Sequence, residues 1–161
     1  MKRYIFLIIL VGLIGSFFLY QNTAEQKSQR FLNKGNKLFK QGKYIEAILS
    51  YQKVLEKGGG GGGLGGTTTS KKIAAEAHYQ LATSCLALAQ YSSAITEYKK
   101  VVNDYKDSPF AEDAQFIVAT IFDERLGNSE RAKQEFKFYL DNFPNAKYRF
   151  EAKRKLFKKN T

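Results

Sequence analysis

The pattern of apolar and polar positions divides the chain into an apolar leader and a longer amphipathic remainder. Residues 4–20 are almost purely apolar and carry no charge, and Lys2 and Arg3 precede them. As a helix this run is about 26 Å long, which is the short end of what crosses a bilayer. The pattern therefore predicts a signal anchor or transmembrane segment over residues 1–21.

The charges beside the leader predict on which side of the membrane the rest of the chain lies. Because basic residues stay on the cytoplasmic side, everything after Tyr20 is expected beyond the membrane. Two alternatives remain: a buried core helix, and a cleaved secretory signal, although residues 22–24 match a cleavage site poorly. We expect an inner-membrane anchor with the remainder in a bacterial periplasm, or secretion to the periplasm after cleavage.

Beyond the leader, three segments align with one another. Each has a first helix with a small residue, a short turn, and a second helix with a small residue and an aromatic four positions later. Because positions four apart share a helix face, the small residue admits the neighbouring helix and the aromatic fills the gap beyond it. The aligned residues are Gly35, Ala47 and Tyr51, then Ala82, Ala94 and Tyr98, then Ala119, Ala132 and Phe136.

This pattern resembles the tetratricopeptide repeat, a helix–turn–helix unit of about 34 residues. The resemblance covers most of the stretch from Phe31 to Leu140. The third copy departs from it, since Ser129 replaces the turn tyrosine and one residue is inserted between Phe122 and Leu126. The resemblance implies an all-α fold: the N-terminal transmembrane or signal helix, an α-solenoid of three helix pairs, and a C-terminal capping helix.

The same alignment predicts the domain boundaries. A glycine-rich insertion separates the first two repeats; it lacks the lysine that a phosphate-binding loop requires after its last glycine, so a flexible loop is expected. The last segment is rich in Lys and Arg, which suits a terminal cap with a polar outer face. The predicted units are the leader (1–21), repeat one (22–57), the insertion (58–70), repeat two (71–106), repeat three (107–143), and a basic capping helix and tail (144–161).

Two linkers between helix pairs also match each other. The segments 105–112 and 143–148 align at a period of 38 residues, with an aromatic residue and a proline in each. This layout resembles the repeats of bacterial envelope proteins, in particular the Tol–Pal cell-division coordinator and the outer-membrane assembly lipoproteins. The resemblance implies a periplasmic setting.

The sequence offers little that could support catalysis. A single histidine, His78, and a single cysteine, Cys85, exclude a disulfide framework and a Cys- or His-rich metal site. Both occupy packing positions in the repeat register, and along one helix they lie about 10 Å apart, beyond proton-transfer reach. The acid pairs Glu112–Asp113 and Asp123–Glu124 are interpreted as solvated helix-end or groove charges and not as a catalytic couple. We therefore predict no enzyme, no catalytic residue, no metal and no cofactor.

In the tetratricopeptide family the first helices line a concave groove that holds peptides or partner helices, and the resemblance implies the same here. A surface of mixed aromatic and polar residues suits an amphipathic helix or an extended segment. Relatives that bind chaperone tails clamp a carboxylate with Lys and Asn; Leu32 stands where that Lys would be, so a carboxylate clamp is not expected. The predicted groove residues are Leu32, Asn36, Phe39, Lys40, Tyr79, Thr83, Leu86, Phe116, Thr120 and Asp123.

The chain is basic, with a formal net charge of +11. A stripe of four cations at three- and four-residue spacing follows the leader. It is either a solvated face or a contact for anionic lipid headgroups or an acidic partner, whereas nucleic acid is not expected beyond the membrane. The stripe consists of Lys27, Arg30, Lys34 and Lys37.

We hypothesise a membrane-anchored, periplasm-facing scaffold that mediates protein–protein interaction in the bacterial cell envelope through its concave groove. The partner is then another protein, and residues 4–20 contact the membrane. The alternative is a structural subunit of a larger membrane or envelope complex, whose repeats mainly pack.

Overall fold

The computed structural model describes residues 2–57 and 68–157. Regular structure in these two ranges is entirely helical, as the repeat pattern predicts. The predicted tail beyond residue 157 and most of the glycine-rich insertion lie outside the described residues. The helices are α1 (Lys2–Lys40), α2 (Tyr44–Lys57), α3 (Thr68–Ala87), α4 (Tyr91–Asp104), α5 (Ala111–Thr120), α6 (Ser129–Asn142) and α7 (Arg149–Leu156).

Consecutive helices pair and the pairs stack. The pairs are α1 with α2, α3 with α4, and α5 with α6; α3 also packs on α2, α5 on α4, and α7 on α6. The small and aromatic residues of the three copies lie in the core, and Ala47, Tyr51, Ala94 and Tyr98 are fully buried. The predicted stack of three helix pairs is therefore confirmed within the described residues, and the last described helix, α7, packs on α6.

The three turns inside the pairs reverse the chain in the same way. Each has one residue in the left-handed region: Gly42 at φ +74°, Ala89 at φ +57° and Gly127 at φ +60°. The amide after this residue bonds back to the end of the first helix, as from Lys43 N to Leu38 O at 3.0 Å. Such a turn is favourable for glycine and costly for other residues, so Ala89 is the strained member of the set.

The residue inserted in the third copy is accommodated by a wider helical turn. Residues Ile121–Arg125 continue α5 as a π-helical turn, in which Leu126 N donates to Ile121 O at 3.0 Å. A π turn absorbs one extra residue without ending the helix. The insertion predicted between Phe122 and Leu126 is thus a local bulge that leaves the third pair intact.

The start of α3 differs from the sequence prediction. The flexible insertion was expected to extend to residue 70, but α3 begins at Thr68. Ser70 Oγ donates to Glu25 Oε1 on α1 at 2.8 Å. This bond ties the first turn of α3 to α1, and α3 begins three residues before residue 71, where the second repeat was expected to start.

The predicted anchor lies at the start of α1, which runs without a break from Lys2 into the first repeat. The side chains of residues 1–8, 14 and 17–23 lie outside the described part of the chain. Among the described residues, no helix is both long and apolar enough to cross a bilayer. The anchor over residues 4–20 remains a prediction from the sequence.

Candidate binding groove

Aromatic side chains form a ladder along the first helices of the pairs. The Tyr79 ring on α3 lies 5.2 Å from the ring of Phe110, which directly precedes α5. One repeat later, the Phe116 ring on α5 stacks at 4.4 Å on Tyr148, which directly precedes α7. One aromatic pair therefore joins α3 to the start of α5, and another joins α5 to the start of α7.

A cavity of about 320 Å³ opens between these aromatic pairs. Its volume is at the lower end of the range for ligand pockets and suits one or two side chains of a bound segment. Side chains of α3, α5, the π turn and the residue before α7 form its walls. The lining residues are Tyr79, Leu86, Asp113, Phe116, Ile117, Thr120, Ile121, Glu124, Arg125 and Tyr148.

The aromatic walls are held in place by the core behind them. Phe116 meets Phe136 edge-on at 5.8 Å, and Tyr79 meets Tyr98 edge-on at 5.4 Å. Tyr148 is fixed by its backbone, because its amide donates to the Tyr139 hydroxyl at 3.1 Å, which in turn donates to Glu112 Oε1 at 3.2 Å. The cavity is therefore largely formed before any partner arrives.

The acid pairs of α5 and the π turn hold the C-terminal segment. Lys147 Nζ lies 2.6 Å from Asp113 Oδ1. Lys155 Nζ lies 2.6 Å from Asp123 Oδ2 and 2.8 Å from Glu124 Oε1. Hydrogen bonds to these two carboxylates raise the pKa of Lys155.

Asp113 and Glu124 line the cavity, as the interpretation of the acid pairs as helix-end or groove charges allows, and the lysine contacts add a second role for both pairs. Each pair has a carboxylate in contact with a lysine of the segment that carries α7, and Glu112 also accepts from Lys147 N at 2.9 Å. The pairs therefore help to fasten the last helix onto the third repeat.

Four of the predicted groove residues come together in the cavity: Tyr79, Leu86, Phe116 and Thr120. Asp123 is not among the residues that line the cavity and instead forms the ion pair with Lys155. Thr83 lies deeper, where its hydroxyl donates to Tyr79 O and is 2.9 Å from the Tyr98 hydroxyl.

The predicted groove residues of the first repeat lie apart from this cavity. Asn36 accepts a hydrogen bond from the Tyr51 hydroxyl at 2.9 Å and donates to Glu76 at 3.3 Å. Phe39 is half-buried, and Lys40 is exposed. Leu32 is a correction, because it is fully buried in the core and so presents no surface to a partner.

Six cavity residues were not predicted: Asp113, Ile117, Ile121, Glu124, Arg125 and Tyr148. Ile121, Glu124 and Arg125 belong to the π turn, and the sequence shows only that one residue is inserted there. Tyr148 could have been found, since it lies 38 residues after Phe110 in the matched linkers.

His78 and Cys85 both lie in the core, as their register predicts, with exposures of 5% and 4%. His78 Nδ1 is 2.6 Å from Glu97 Oε2, so its hydrogen bond connects α3 to α4. Burial raises the pKa of the Cys85 thiol, which keeps it protonated and unreactive.

The basic stripe is exposed along its whole length. Lys27, Arg30, Lys34 and Lys37 lie on α1 with their side chains in solvent. Their positions three and four residues apart place them on one face of the helix. The stripe is therefore available for a contact, although its partner stays a prediction.

Comparison with known proteins agrees with this architecture. Residues 76–108 match the model of a family described as tetratricopeptide repeat. The first TPR of Spaghetti (RPAP3), bound to the HSP90 peptide SRMEEVD, is 25% identical with a TM-score of 0.59, over 82% of this chain and 89% of that chain. The fold is that of a tetratricopeptide repeat (TPR) domain.

Two further solved structures share the fold. The Arabidopsis OM64 TPR domain is 20% identical with a TM-score of 0.61, over 83% of this chain and 96% of that one. The second TPR domain of human RPAP3, in complex with the HSP70 peptide SGPTIEEVD, is 22% identical with a TM-score of 0.59, over 86% and 99%. No curated protein matches the chain in sequence.

TPR folds are in general protein-interaction scaffolds without enzymatic activity, which is the class of function predicted from the sequence. None of these three neighbours is described as a bacterial envelope protein. The resemblance to Tol–Pal coordinators and assembly lipoproteins therefore stays a prediction.

Proposed function

We propose that the chain binds a segment of another protein in its TPR groove, with an apolar side chain of that segment in the cavity between Tyr79, Phe116 and Tyr148. The observation that carries this proposal is the cavity itself. Its aromatic walls are held in place by contacts with the core, and the cavity is open to solvent. Aromatic pockets of this kind hold the few side chains that supply most of the affinity of an interface.

Two structural neighbours bind acidic peptides, SRMEEVD and SGPTIEEVD. In this chain Leu32 stands in place of the clamping lysine, and the carboxylates of Asp113 and Glu124 line the cavity. Lys147 and Lys155 pair with these carboxylates, so the mismatch with an acidic tail rests on Leu32, which leaves the clamp without its lysine. The partner segment is therefore anchored by an apolar side chain, in an extended or helical conformation.

From the sequence we also propose the cellular location of the chain. Residues 4–20 anchor it in the inner membrane, and the repeats face the periplasm. The exposed basic stripe on α1 then contacts anionic headgroups or an acidic partner close to the membrane. Alkaline phosphatase fused after Thr161 should be active in intact cells, because this reporter folds only outside the cytoplasm. An inactive fusion, with an active cytoplasmic reporter at the same point, would rule out this setting.

The groove is tested by capture of partners with the full chain from native membranes. Thr120→Arg places a long cation in the cavity and should abolish capture of the groove partner. Thr96→Arg is the matched control, since Thr96 and Thr120 both donate to the carbonyl four residues earlier but Thr96 lies exposed on α4. Equal capture by the two variants would favour the structural-subunit alternative.

A further inference from the structure

The chain enters α7 as it enters α5, 38 residues earlier. Four backbone hydrogen bonds lead into each helix at equivalent positions. At α5 the bonds run from Tyr105 N to Val101 O, Ser108 N to Tyr105 O, Ala111 N to Ser108 O and Ala114 N to Phe110 O. At α7 the same four bonds recur with every residue number raised by 38, from Phe143 N to Tyr139 O, Ala146 N to Phe143 O, Arg149 N to Ala146 O and Ala152 N to Tyr148 O. Helix α7 therefore occupies the place of the first helix of a fourth repeat.

In the complete pairs, the second helix covers one face of the first. On α5 this face comprises Glu112, Gln115, Phe116 and Ala119, and α6 covers it through contacts such as Gln115 Nε2 to Glu135 Oε2 at 3.0 Å. The equivalent residues of α7, with the residue directly after it, are Phe150, Lys153, Arg154 and Phe157, and they are called the α7 face. No helix within residues 2–57 and 68–157 covers this α7 face, where Phe150 is 82% exposed and Phe157 76%.

The charge of the α7 face indicates what can cover it. Lys153 and Arg154 lie around Phe150 and Phe157, and the one acid in the first turn of α7, Glu151, lies 3.8 Å from Arg154. A second copy of the chain would bring these cations against their own equivalents. An acidic helix would instead neutralise them while it buries the two phenylalanines.

The register of the complete pairs indicates where the acid belongs. The second helices α4 and α6 each carry a glutamate that reaches the first helix: Glu97 contacts His78 at 2.6 Å, and Glu135 contacts Gln115 at 3.0 Å. The residue of α7 in the register of Gln115 is Lys153. A helix docked in the same way would therefore place its glutamate beside a lysine, where an ion pair replaces a hydrogen bond.

We propose that the α7 face binds an acidic amphipathic helix of a partner protein, which takes the place that α6 holds beside α5. The docked helix carries glutamate opposite Lys153. It carries a small residue opposite Phe157, because Phe157 stands where the first helices of the complete pairs have Gly35, Ala82 and Ala119. This surface is separate from the groove cavity, and its occupant differs from the apolar-anchored segment proposed there.

The probe is a fluorescein-labelled, end-blocked peptide with the residues of α6 and three changes. Phe136→Ala provides the small residue, and Lys133→Glu and Lys137→Glu make the peptide acidic while Glu135 is retained. Its anisotropy is titrated with the full chain in phosphatidylcholine nanodiscs, which carry no net anionic charge. We expect saturable binding that Phe150→Ser or Phe157→Ser weakens about tenfold or more.

A charge exchange gives the sharper comparison. Lys153→Glu should weaken binding of the acidic peptide, and a peptide with Glu135→Lys should bind that variant better than it binds the unchanged chain. Leu49→Ser on α2 is the matched control, since Leu49 is an exposed apolar residue at 54% outside the α7 face, and its loss should leave the affinity unchanged. All these positions are exposed, so unchanged helicity in circular dichroism should accompany each variant.

Three results would overturn the proposal. The first is the absence of saturable binding to the unchanged chain. The second is that Thr120→Arg abolishes peptide binding while Phe150→Ser and Lys153→Glu leave it intact. The peptide would then lie in the groove. The third is a chain that sediments as a dimer and that Phe150→Ser converts to a monomer, because a second copy would then cover the face.

Discussion

The close contact between the first two helices makes a strong prediction for Gly35→Ala. Gly35 lies on α1 against the ring of Tyr51, which is fully buried on α2. A Cβ built on Gly35 would lie 2.4 Å from Tyr51 Cε1 and 2.7 Å from Cδ1. The same position holds alanine in the next two repeats, Ala82 and Ala119, so the first pair differs in needing glycine here.

Two opposing effects determine the size of the change. Alanine is a better helix former than glycine by up to about 1 kcal/mol. The overlap of about 1 Å with a ring that has no room to move acts in the other direction, and overpacking of this kind costs about 1–3 kcal/mol. Three ring atoms of Tyr51 lie within 3.0 Å of the added Cβ, which places the cost in the upper part of this range, at about 2–3 kcal/mol. We therefore expect a net loss of roughly 1–2 kcal/mol in the free energy of unfolding, which for a chain of this size lowers the melting temperature by a few degrees.

The assay is thermal and urea unfolding of the full chain in mild detergent, followed by circular dichroism at 222 nm. Gly12→Ala is the control, because nothing lies within 4 Å of a Cβ at Gly12. In a Tyr51→Leu background, which removes the ring, Gly35→Ala should lose most of its cost. A Gly35→Ala chain that is as stable as the unchanged one in the Tyr51 background would refute the close packing of α1 on α2.

Three further predictions concern the turns, the ion pair and the thiol. Ala89→Gly should raise the free energy of unfolding by about 1 kcal/mol, because Ala89 has a φ of +57° that glycine adopts freely; an unchanged or lower melting temperature would contradict this. Burial alone would raise the pKa of Glu97, but hydrogen bonds from His78 and Lys100 outweigh it and hold the pKa below the ordinary 4.5. As the pH falls, the Glu97 carboxylate is therefore protonated in the unfolded chain before it is protonated in the folded chain. At pH values below about 5 the melting temperature should decrease, and Glu97→Gln should make the melting temperature less dependent on pH in that range. Cys85 is 4% exposed, so a thiol reagent should label it only at the rate of opening or unfolding, and fast labelling of the folded chain would show that α3 is not packed as described.

The periodicity of small and aromatic residues was enough to predict the fold. Because Ala47 and Tyr51 lie four positions apart on one helix face, and the same spacing recurs at Ala94 and Tyr98, stacked helix pairs follow from the sequence. The inserted residue of the third copy was visible as well, though its π-helical form was not. A bulge depends on which backbone bonds rearrange, and side-chain pattern carries no information on that choice.

The groove was predicted less completely than the fold, for a physical reason. The groove residues were carried over from the family's repeat register, which gives the position of a residue on its helix but not the depth to which its neighbours cover it. Leu32 was therefore assigned to the groove, although it is fully buried in the core. The lysine contacts at Asp113 and Asp123 join residues more than 30 positions apart. A pairing over such a distance depends on how the last helix docks, which no local pattern shows.

The central claim is that the cavity between Tyr79, Phe116 and Tyr148, and not the outer face of α4, holds the apolar-anchored partner segment. A photo-crosslinking amino acid placed at Thr120 in the cavity and at Thr96 on the outer face of α4 tests it in native membranes. We predict one adduct of defined mass from position 120, lost when Leu86→Lys is added, and none from position 96. Adducts from position 96 with none from position 120 would contradict the claim.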